Sequence, residues 1–534
     1  LDRDCPGRGI AGFVESRDAS LVRLRAEPLD VLVIGGGING AGIIRDLALR
    51  SKTLRLAVVD RAHFSSGTSG RNSQLIHGGL RYLKNLEFSL VSEALAERAI
   101  LLRTAPHLVT PLPFLIPLRD LYSTVFYESG LFLYDTLAGR NRIERFRHLS
   151  GNQLHAAEPH MRTFVAGARF FDCQVHSARL VLLNLREAAA NGAIALNYCS
   201  VEKLEKQMGL WRVDLLDRIS GAAFSVQAKT VVDAAGPWSR EKNLRLVRGS
   251  HLIFPRLSES GDAIAYFTRD GRVVFFIPWG SRKDLTLVGT TDVDHDGSVD
   301  SVRISEEEVR YLRGVIEEVF PGAGSREAIS SYSSLRPLVR DDSSSATKTS
   351  REHRIWADER GMVHVSGGKY TTYRAMSEEA VDLLCSAHFP SIANKHVTAD
   401  TPILGNSREA VQSLLVVAYR AATVRSGPDH ALPASSDMSP QTVHDYGVET
   451  PALLSLLPQN EPAGISRLEA AQIAFAAQNE WVEHLPDLLF VSTYWGYEKK
   501  WTPELLLPYA RALGAQLNWD EARVEQEIMS VPAP

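Results

Sequence analysis

Long apolar runs are missing from this chain of 534 residues. Nowhere do about 20 uncharged apolar residues follow one another, which excludes a membrane-spanning helix. Cysteine is scarce. Cys5, Cys173, Cys199 and Cys385 lie far apart and form no CxxC or other ligand spacing, so no metal centre is expected and a reducing compartment fits. Excess positive charge is missing too: the formal net charge is −4, so no global field recruits nucleic acid or anionic lipid, and only a local basic site is left open. Residues 1–30 have no basic start followed by an apolar core, so a secretory signal is not expected. Internal repeats and low-complexity tracts are absent, and 44% hydrophobic with 23% charged residues is ordinary for a globular protein. At about 100 to 200 residues per domain, the length predicts two to four units.

What is present starts with Gly35-Gly36-Gly37-Ile38-Asn39-Gly40, directly after the apolar run Val31-Leu32-Val33-Ile34. Asp30 to Ile34 reads as a buried strand, Ile38 to Arg50 as a helix, and Leu56 to Val59 as a second parallel strand closed by Asp60. This is a βαβ unit that grips a dinucleotide. At Gly35, Gly37 and Gly40 the missing side chains permit a tight turn, close backbone approach to a pyrophosphate, and close packing of helix on strand. The helix start offers N–H groups and positive dipole to phosphates. Asp60 is placed to accept hydrogen bonds from an adenosine ribose and would repel a 2′-phosphate, which disfavours NADP.

The hydroxyl- and glycine-rich loop from Ser65 to Ser73 follows, able to wrap a cofactor with backbone donors, or to serve as a plain surface linker. Asn85 to Thr104 predicts an amphipathic helix with Leu86, Leu90, Val91, Leu95 and Ile100 inward and Glu93, Glu97, Arg98 and Arg103 outward. The proline-punctuated segment Pro111 to Pro117 and the aromatic stretch Leu121 to Leu137 read as core or a domain interface, with a lipid contact as the alternative. Ser177 to Ala190 predicts a helix, and Lys229 to Asp233 a strand returning to the nucleotide sheet through Gly236. Between Leu244 and Val302 the pattern is strand-rich, an antiparallel sheet forming a substrate wall. Ser305 to Glu308 is a capping box that opens a helix with Val309, Leu312, Ile316 and Val319 inward. A strand at Val363 to Val365 leads to Gly367-Gly368-Lys369 and a helix from Thr371 to Leu384, and the tail from Asn406 reads as helical with a polar break near Ser426 to Ser439. Remote glycine turns at Gly236 and Gly367-Gly368 displace the later sheet strands behind insertions, which favours FAD over a nicotinamide cofactor.

The segments Ile34 to Gly42, Leu75-Ile76-His77-Gly78-Gly79-Leu80-Arg81-Tyr82-Leu83, Val91 to Arg98, Arg248-Gly249-Ser250-His251, Gly289-Thr290-Thr291-Asp292, Leu335-Arg336-Pro337-Leu338 and Gly367 to Arg374 occur in series. In this the chain resembles the FAD-dependent, quinone-linked glycerol-3-phosphate dehydrogenase family, over about Asp30 to Leu404. The resemblance implies an α/β fold: a composite FAD-binding Rossmann-type domain (30–110, 170–243 and 352–390) with an inserted antiparallel-sheet substrate domain (111–169 and 244–351), a C-terminal helical domain (391–534) and an N-terminal extension (1–29). It implies oxidation of sn-glycerol 3-phosphate to dihydroxyacetone phosphate, with hydride to the flavin N5 and electrons then to a membrane quinone. A cytoplasmic enzyme in peripheral contact with the inner face of the cell membrane follows, with a homodimer left open. Cofactor contacts are expected at Gly35, Gly37, Asn39, Gly40, Asp60, Thr68, Ser69, Ser73, His77, Gly78, Gly79, Leu80, Val201, Gly236, Trp238, Gly368, Lys369, Tyr370 and Thr371.

A phosphate dianion in a closed site needs fixed cations, and Arg81, Arg336 and Lys369 fall at the family's substrate motifs, with Tyr82 as a neutral donor and Arg351 as an extra cation. Removing hydride from a secondary alcohol leaves a carbonyl, so the hydroxyl proton must depart. His251 is the candidate base, with His77 as competitor, and flanking cations would keep it neutral. Arg336 could stabilise a developing alkoxide. Lys369 and the helix after it would favour anionic reduced flavin.

Three features depart from the family pattern: Gln74 stands where a lysine is expected, the join from Asn243 to Leu244 is short, and Phe490 to Trp495 lacks an arginine pair, its aromatics being candidates for a partner or membrane face. Rival readings are an oxidase that passes electrons from the same substrate to oxygen, another flavin-dependent alcohol or amine oxidoreductase, and a non-catalytic flavin-binding protein.

Overall fold

The computed structural model describes residues 14–239, 244–339, 353–424 and 438–532. Leu29–Ile34 is the strand from which the first sheet grows. It pairs in parallel with Leu56–Val59 on one side and Ala223–Asp233 on the other, and the latter pairs in parallel with Val363–Gly367. The registers set Ile34 beside both Val59 and Asp233, and Asp233 beside His364. Four strands therefore release the chain at one edge, at Gly35, Asp60, Ala234 and Gly368, the edge where open parallel sheets bind ligands. Ile194–Leu196 extends the parallel side, and Cys199–Gln207 and Leu210–Asp217 form an antiparallel flap on Ala223–Asp233.

The strands are runs of Val, Leu and Ile because both faces are covered, one by helices and the other by the antiparallel flap and the N-terminal helix. Ile38–Arg50 is buried almost all round, wedged between Ser177–Ala190 and Tyr373–His388. Its charges turn inward as pairs: Arg50 with Asp46 at 2.7 Å, both fully buried, and Arg45 with Glu187. In the expected N-terminal extension, Arg17–Ala26 is a helix whose Leu24 is fully buried in the core of the first sheet.

Among the described residues the second sheet has ten strands and is mostly antiparallel. Leu244–Pro255 runs against Ser330–Val339 and Leu285–Gly289, which sets His251 opposite Tyr332 and Gly289, and Val247 opposite Arg336. The proline-rich segment is itself a strand, Val109–Leu118, paired with Ala166–Val175. Ala166–Val175, which spans the expected boundary at 169/170, lies wholly in the second sheet, and Leu75–Ile76 joins it there. The capping box at Ser305 is present, and Glu306–Val319 packs Leu312, Val315, Ile316 and Val319 on the outer face of this sheet's core.

The helix expected from Asn85 is two elements, a 3-10 turn Leu80–Asn85 and an α-helix Phe88–Thr104, broken at Leu86, whose φ is +62°. Leu86 is 71% exposed rather than inward, while Glu97 and Arg98 are buried rather than outward. Both find buried partners: Arg374 on Glu97 at 2.6 Å, Asp172 on Arg98 at 2.5 Å.

The described residues from Arg408 on are mostly helical; Arg467–Asn479, Pro503–Leu517 and Glu521–Ser530 enclose Ile473, Leu488, Leu506 and Leu513. The join before Leu244 and nearly all of the polar break after Ser426 lie outside the described residues. Tyr494 and Tyr497 are buried, which corrects the reading of that segment as a partner or membrane face.

Candidate active site

One cavity of about 1230 Å³ opens where the two sheets meet. Sites for a single small molecule run roughly 300–1,000 Å³, so this volume suits a dinucleotide with space left for a small substrate. The cradle is made of backbone. Gly35 turns with φ of +102°, and a Cβ on Gly40 would run into the Gly35 carbonyl oxygen, so helix and strand approach this closely only without one. Gly37 and Asn39 open the helix N-terminus onto the cavity, and Gly37 brings no capping side chain to block it. Ile38 N donates to Ser69 Oγ at 2.9 Å. Asp60 accepts from Gly36 N at 2.7 Å and Ala62 N at 2.9 Å; burial pushes its carboxyl up to about 6 against these two bonds. Thr68 Oγ1 donates to the Leu335 carbonyl at 2.5 Å and Trp238 Nε1 to Asp300 at 2.7 Å, steadying the side walls.

These features fit FAD: a helix start with glycine at its N-cap for phosphates, a half-buried acid for ribose, and a second glycine turn, Gly367-Gly368, with both φ values positive, at the far end. Of the expected cofactor contacts, Gly35, Gly37, Asn39, Asp60, Thr68, Ser69, Ser73, His77, Gly79, Leu80, Val201, Gly236, Trp238, Gly368, Lys369 and Tyr370 line the cavity. Gly40, Gly78 and Thr371 do not. Gly78 N donates to Tyr134 Oη at 2.8 Å, and Thr371 Oγ1 takes His77 N at 3.1 Å, so the last two hold the wall from behind.

At the glycine-pair end stand Arg336, Lys369 and Tyr82. Lys369 Nζ lies 3.9 Å from the centre of the Tyr82 ring. Arg336 is held in a fixed fork: Nη1 to Asp292 at 2.7 Å and to the Thr291 carbonyl at 3.1 Å, Nη2 to Thr290 Oγ1 at 2.7 Å. Gly249 is required beneath it, because a Cβ there would collide with the guanidinium. Arg81 sits in the turn Leu80–Asn85, but its side chain and all of Arg351 lie outside the described residues.

His251 is not in the cavity wall. It lies one layer behind, with Nε2 at 2.9 Å from Ser73 Oγ and its ring 4.9 Å from that of Tyr332. Burial first, and the Arg336 charge second, push its imidazolium down to about 3, so the ring is neutral. His77 lines the cavity directly.

The sequence reading missed the carboxylates behind these groups. Asp292 orients Arg336. Glu308, read only as a cap, accepts from Thr291 Oγ1 at 2.6 Å, Ser250 Oγ at 2.8 Å and Arg248 at 2.8 Å as well as from Ser305 N at 2.9 Å. Burial opposes its charge, and these bonds more than offset it, holding the carboxyl below its usual range. The run Gly289-Thr290-Thr291-Asp292 was the available signal. Among the described residues no group of side chains could hold a metal ion.

Residues 30–383 match the family model described as FAD dependent oxidoreductase. The chain is 37% identical over 375 residues to the aerobic glycerol-3-phosphate dehydrogenase of Escherichia coli (strain K12), covering 67% of this chain and 74% of that protein. It is 35% identical over 395 residues to the D-erythritol 1-phosphate dehydrogenase of Brucella abortus (strain 2308), covering 71% and 78%. Among solved structures, the glycerol-3-phosphate dehydrogenase from Bacillus halodurans complexed with FAD superposes with a TM-score of 0.74 at 26% identity, over 97% of each chain. With the glycine cradle, Asp60 and the remote glycine pair on one cavity, the chain is a FAD-binding member of the FAD dependent oxidoreductases, and within them it belongs to the glycerol-3-phosphate dehydrogenase family.

Proposed function

We infer that this protein oxidises sn-glycerol 3-phosphate to dihydroxyacetone phosphate. The observation that carries the reading is the sharing of one cavity between the dinucleotide cradle and the pair Arg336 and Lys369. Two fixed cations beside Tyr82 answer the charge of a phosphate dianion, and Arg336 offers it a preorganised fork. Bound FAD supplies the acceptor for two electrons and the hydrogen leaving C2.

The hydroxyl proton must leave as the carbonyl forms. Ser73 lines the cavity and its Oγ bonds His251 Nε2 behind it, a route by which the proton passes to Ser73 while the Ser73 proton moves to the imidazole. A weakly basic, neutral His251 suffices, because an alcohol losing hydride becomes a protonated carbonyl, far more acidic than an imidazolium. Asp292 and Glu308 keep Arg336 and the Thr290–Thr291 segment still, so the site is arranged before substrate arrives. Cavity residues Phe114, Phe170 and Phe275 make an apolar wall that limits water.

For the acceptor we favour a membrane quinone, reached through peripheral contact with anionic lipid. Support comes from the helix Leu121–Ala138. Leu131 and Tyr134 are buried, while Leu121, Tyr122, Val125, Phe126 and Phe132 stand out on the other side, Tyr122 at 79% and Phe132 at 67% exposure. Arg140, Arg142, Arg145 and Arg147 follow at its end, an aromatic stripe with a basic rim of the kind that rests in a lipid interface. Tyr127 on this helix packs at 4.4 Å on Phe267, which lines the cavity, so this surface is one ring away from the redox site. No described helix is long and apolar enough to cross a membrane. The buried free thiols Cys173, Cys199 and Cys385 fit a reducing compartment and hence the inner face of the cell membrane.

The similarity to a D-erythritol 1-phosphate dehydrogenase favours one second reading, a four-carbon polyol phosphate as substrate. The deciding experiment is anaerobic titration of the yellow holoenzyme. Bleaching by glycerol 3-phosphate with a higher kcat/KM than erythritol 1-phosphate, then reoxidation by a short-chain quinone, is expected. Absence of bleaching by either would end the reading, and rapid oxygen consumption without quinone would reassign it to an oxidase.

A further inference from the structure

Two departures from the family pattern, far apart in sequence, meet in space. Gln74 Nε2 donates to Tyr494 Oη at 3.1 Å. The same hydroxyl donates to the Gly70 carbonyl at 2.8 Å, accepts from Ala178 N at 3.2 Å and lies 3.2 Å from Ser177 Oγ, so no hydrogen-bonding capacity of the phenol is left over. Gln74 Oε1 in turn accepts from Ser177 N at 2.9 Å. The Tyr494 ring stacks on His176 at 4.2 Å, nearly parallel. Both Gln74 and Tyr494 hold positive φ, +57° and +62°, conformations that persist only where the surroundings over-determine them.

What this contact grips is the loop that carries the chemistry. Ser73 precedes Gln74 and bonds His251; His77 lies three residues further on in the cavity wall. The other side of the loop is stitched to the strand Ser330–Val339, by Tyr332 Oη to the Asn72 carbonyl at 2.7 Å and Ser334 Oγ to the Arg71 carbonyl at 2.6 Å. A column of rings runs from Tyr494 through Tyr497 and Tyr332 to His251, with centroids 5.9, 5.1 and 4.9 Å apart. The C-terminal helical unit thus reaches the loop beside the reaction site through Tyr494 and Tyr497.

We propose that Tyr494 is a positioning residue for substrate oxidation: with Gln74 it fixes the loop 70–77 so that Ser73 stands between the substrate hydroxyl and His251. Arg336 and Lys369, held by other elements, are untouched by it. The inference rests on the reading of substrate and proton route above.

The test uses holoenzyme and the variants Tyr494→Phe, Gln74→Met and their combination, with Tyr509→Phe as control, since Tyr509 bonds Glu469 within the helical unit and does not reach the loop. Tyr494→Phe and Gln74→Met each lower the limiting rate of anaerobic flavin reduction roughly 10- to 100-fold, as small misplacements of reacting groups do. Substrate Kd and flavin content stay near the parent values. The double variant is no slower than the slower single one, because both act through one contact. Hydrogen exchange of the amides 71–77 quickens in all three and not in Tyr509→Phe. Unchanged reduction rates, additive losses, or unchanged exchange at 71–77 would each overturn the proposal. If one variant fails to fold, the other still decides. Parent holoenzyme that is not bleached by glycerol 3-phosphate would instead sink the substrate reading, leaving the exchange experiment to judge the loop contact alone.

Discussion

Arg336 is held by two side chains and a carbonyl, so its charge costs the substrate no ordering when a phosphate arrives. Replacing it with Gln removes the fork and leaves the Asp292 carboxylate buried beside the substrate. Steady-state kinetics of Arg336→Gln should show kcat/KM lower by about 2–4 kcal/mol, roughly 30- to 1,000-fold, with KM raised. Lys369 is different in kind: it stands on the Tyr82 ring immediately after the second glycine turn and at the start of the helical run through Tyr373–His388. If its charge there favours an anionic reduced flavin, as we propose, Lys369→Met lowers the flavin reduction potential, measured by equilibration with a reference dye. An unchanged potential would confine Lys369 to phosphate binding. Such single contacts were legible only in part. Arg336, Lys369 and Tyr82 could be picked from motifs, whereas Arg98 was read as outward because its periodic position says nothing of Asp172, which a strand brings from 74 residues away.

Elements carry the next level of argument. Ile38–Arg50 could be delimited from glycines and periodicity because a helix start and a parallel strand are local events. Helix Leu121–Ala138 had two meanings in sequence, core or lipid, since aromatic residues at all azimuths serve either. Burial separates them: Tyr134 reaches in to Gly78 N and Asp172, and Tyr122, Val125 and Phe132 remain outside. Substituting Tyr122, Phe126 and Phe132 together with Ser should reduce sedimentation with vesicles containing anionic lipid at least several-fold. Reduction of bound flavin by glycerol 3-phosphate should stay near the parent rate, since the three side chains do not line the cavity. Loss of vesicle binding on substituting Arg140, Arg145 and Arg147 instead, with the aromatics intact, would make the contact electrostatic rather than inserted.

Among the described residues, His63, His107, His176 and His251 are held below their ordinary pKa chiefly by burial, His107 and His251 down to about 3. The unfolded chain takes up these protons as pH falls below about 6.5, and the folded chain refuses them until far lower pH. Stability therefore falls with pH from about 6.5 toward 3, by about 2 kcal/mol at pH 5 for His107 alone. Both ring nitrogens of His107 lack a hydrogen-bond partner, so His107→Leu should move the acid-unfolding midpoint, followed by intrinsic fluorescence, to lower pH. His484, raised by Glu527 despite burial, works the other way: its contribution is full below about 6.5 and is lost as pH rises through its folded value.

Local sequence by itself determined the dinucleotide unit, the capping box at Ser305 and the helix Ser177–Ala190, because spacing, caps and glycine turns act within a few residues of one another. Tertiary structure alone decided that His251 lies behind Ser73, that Glu97, Arg98 and Glu308 are buried and paired, and that Tyr494 closes on Gln74. Those contacts join residues up to 420 positions apart. Each depends on which strands lie side by side and what the interior leaves room for, and neither is written in the residues next to it.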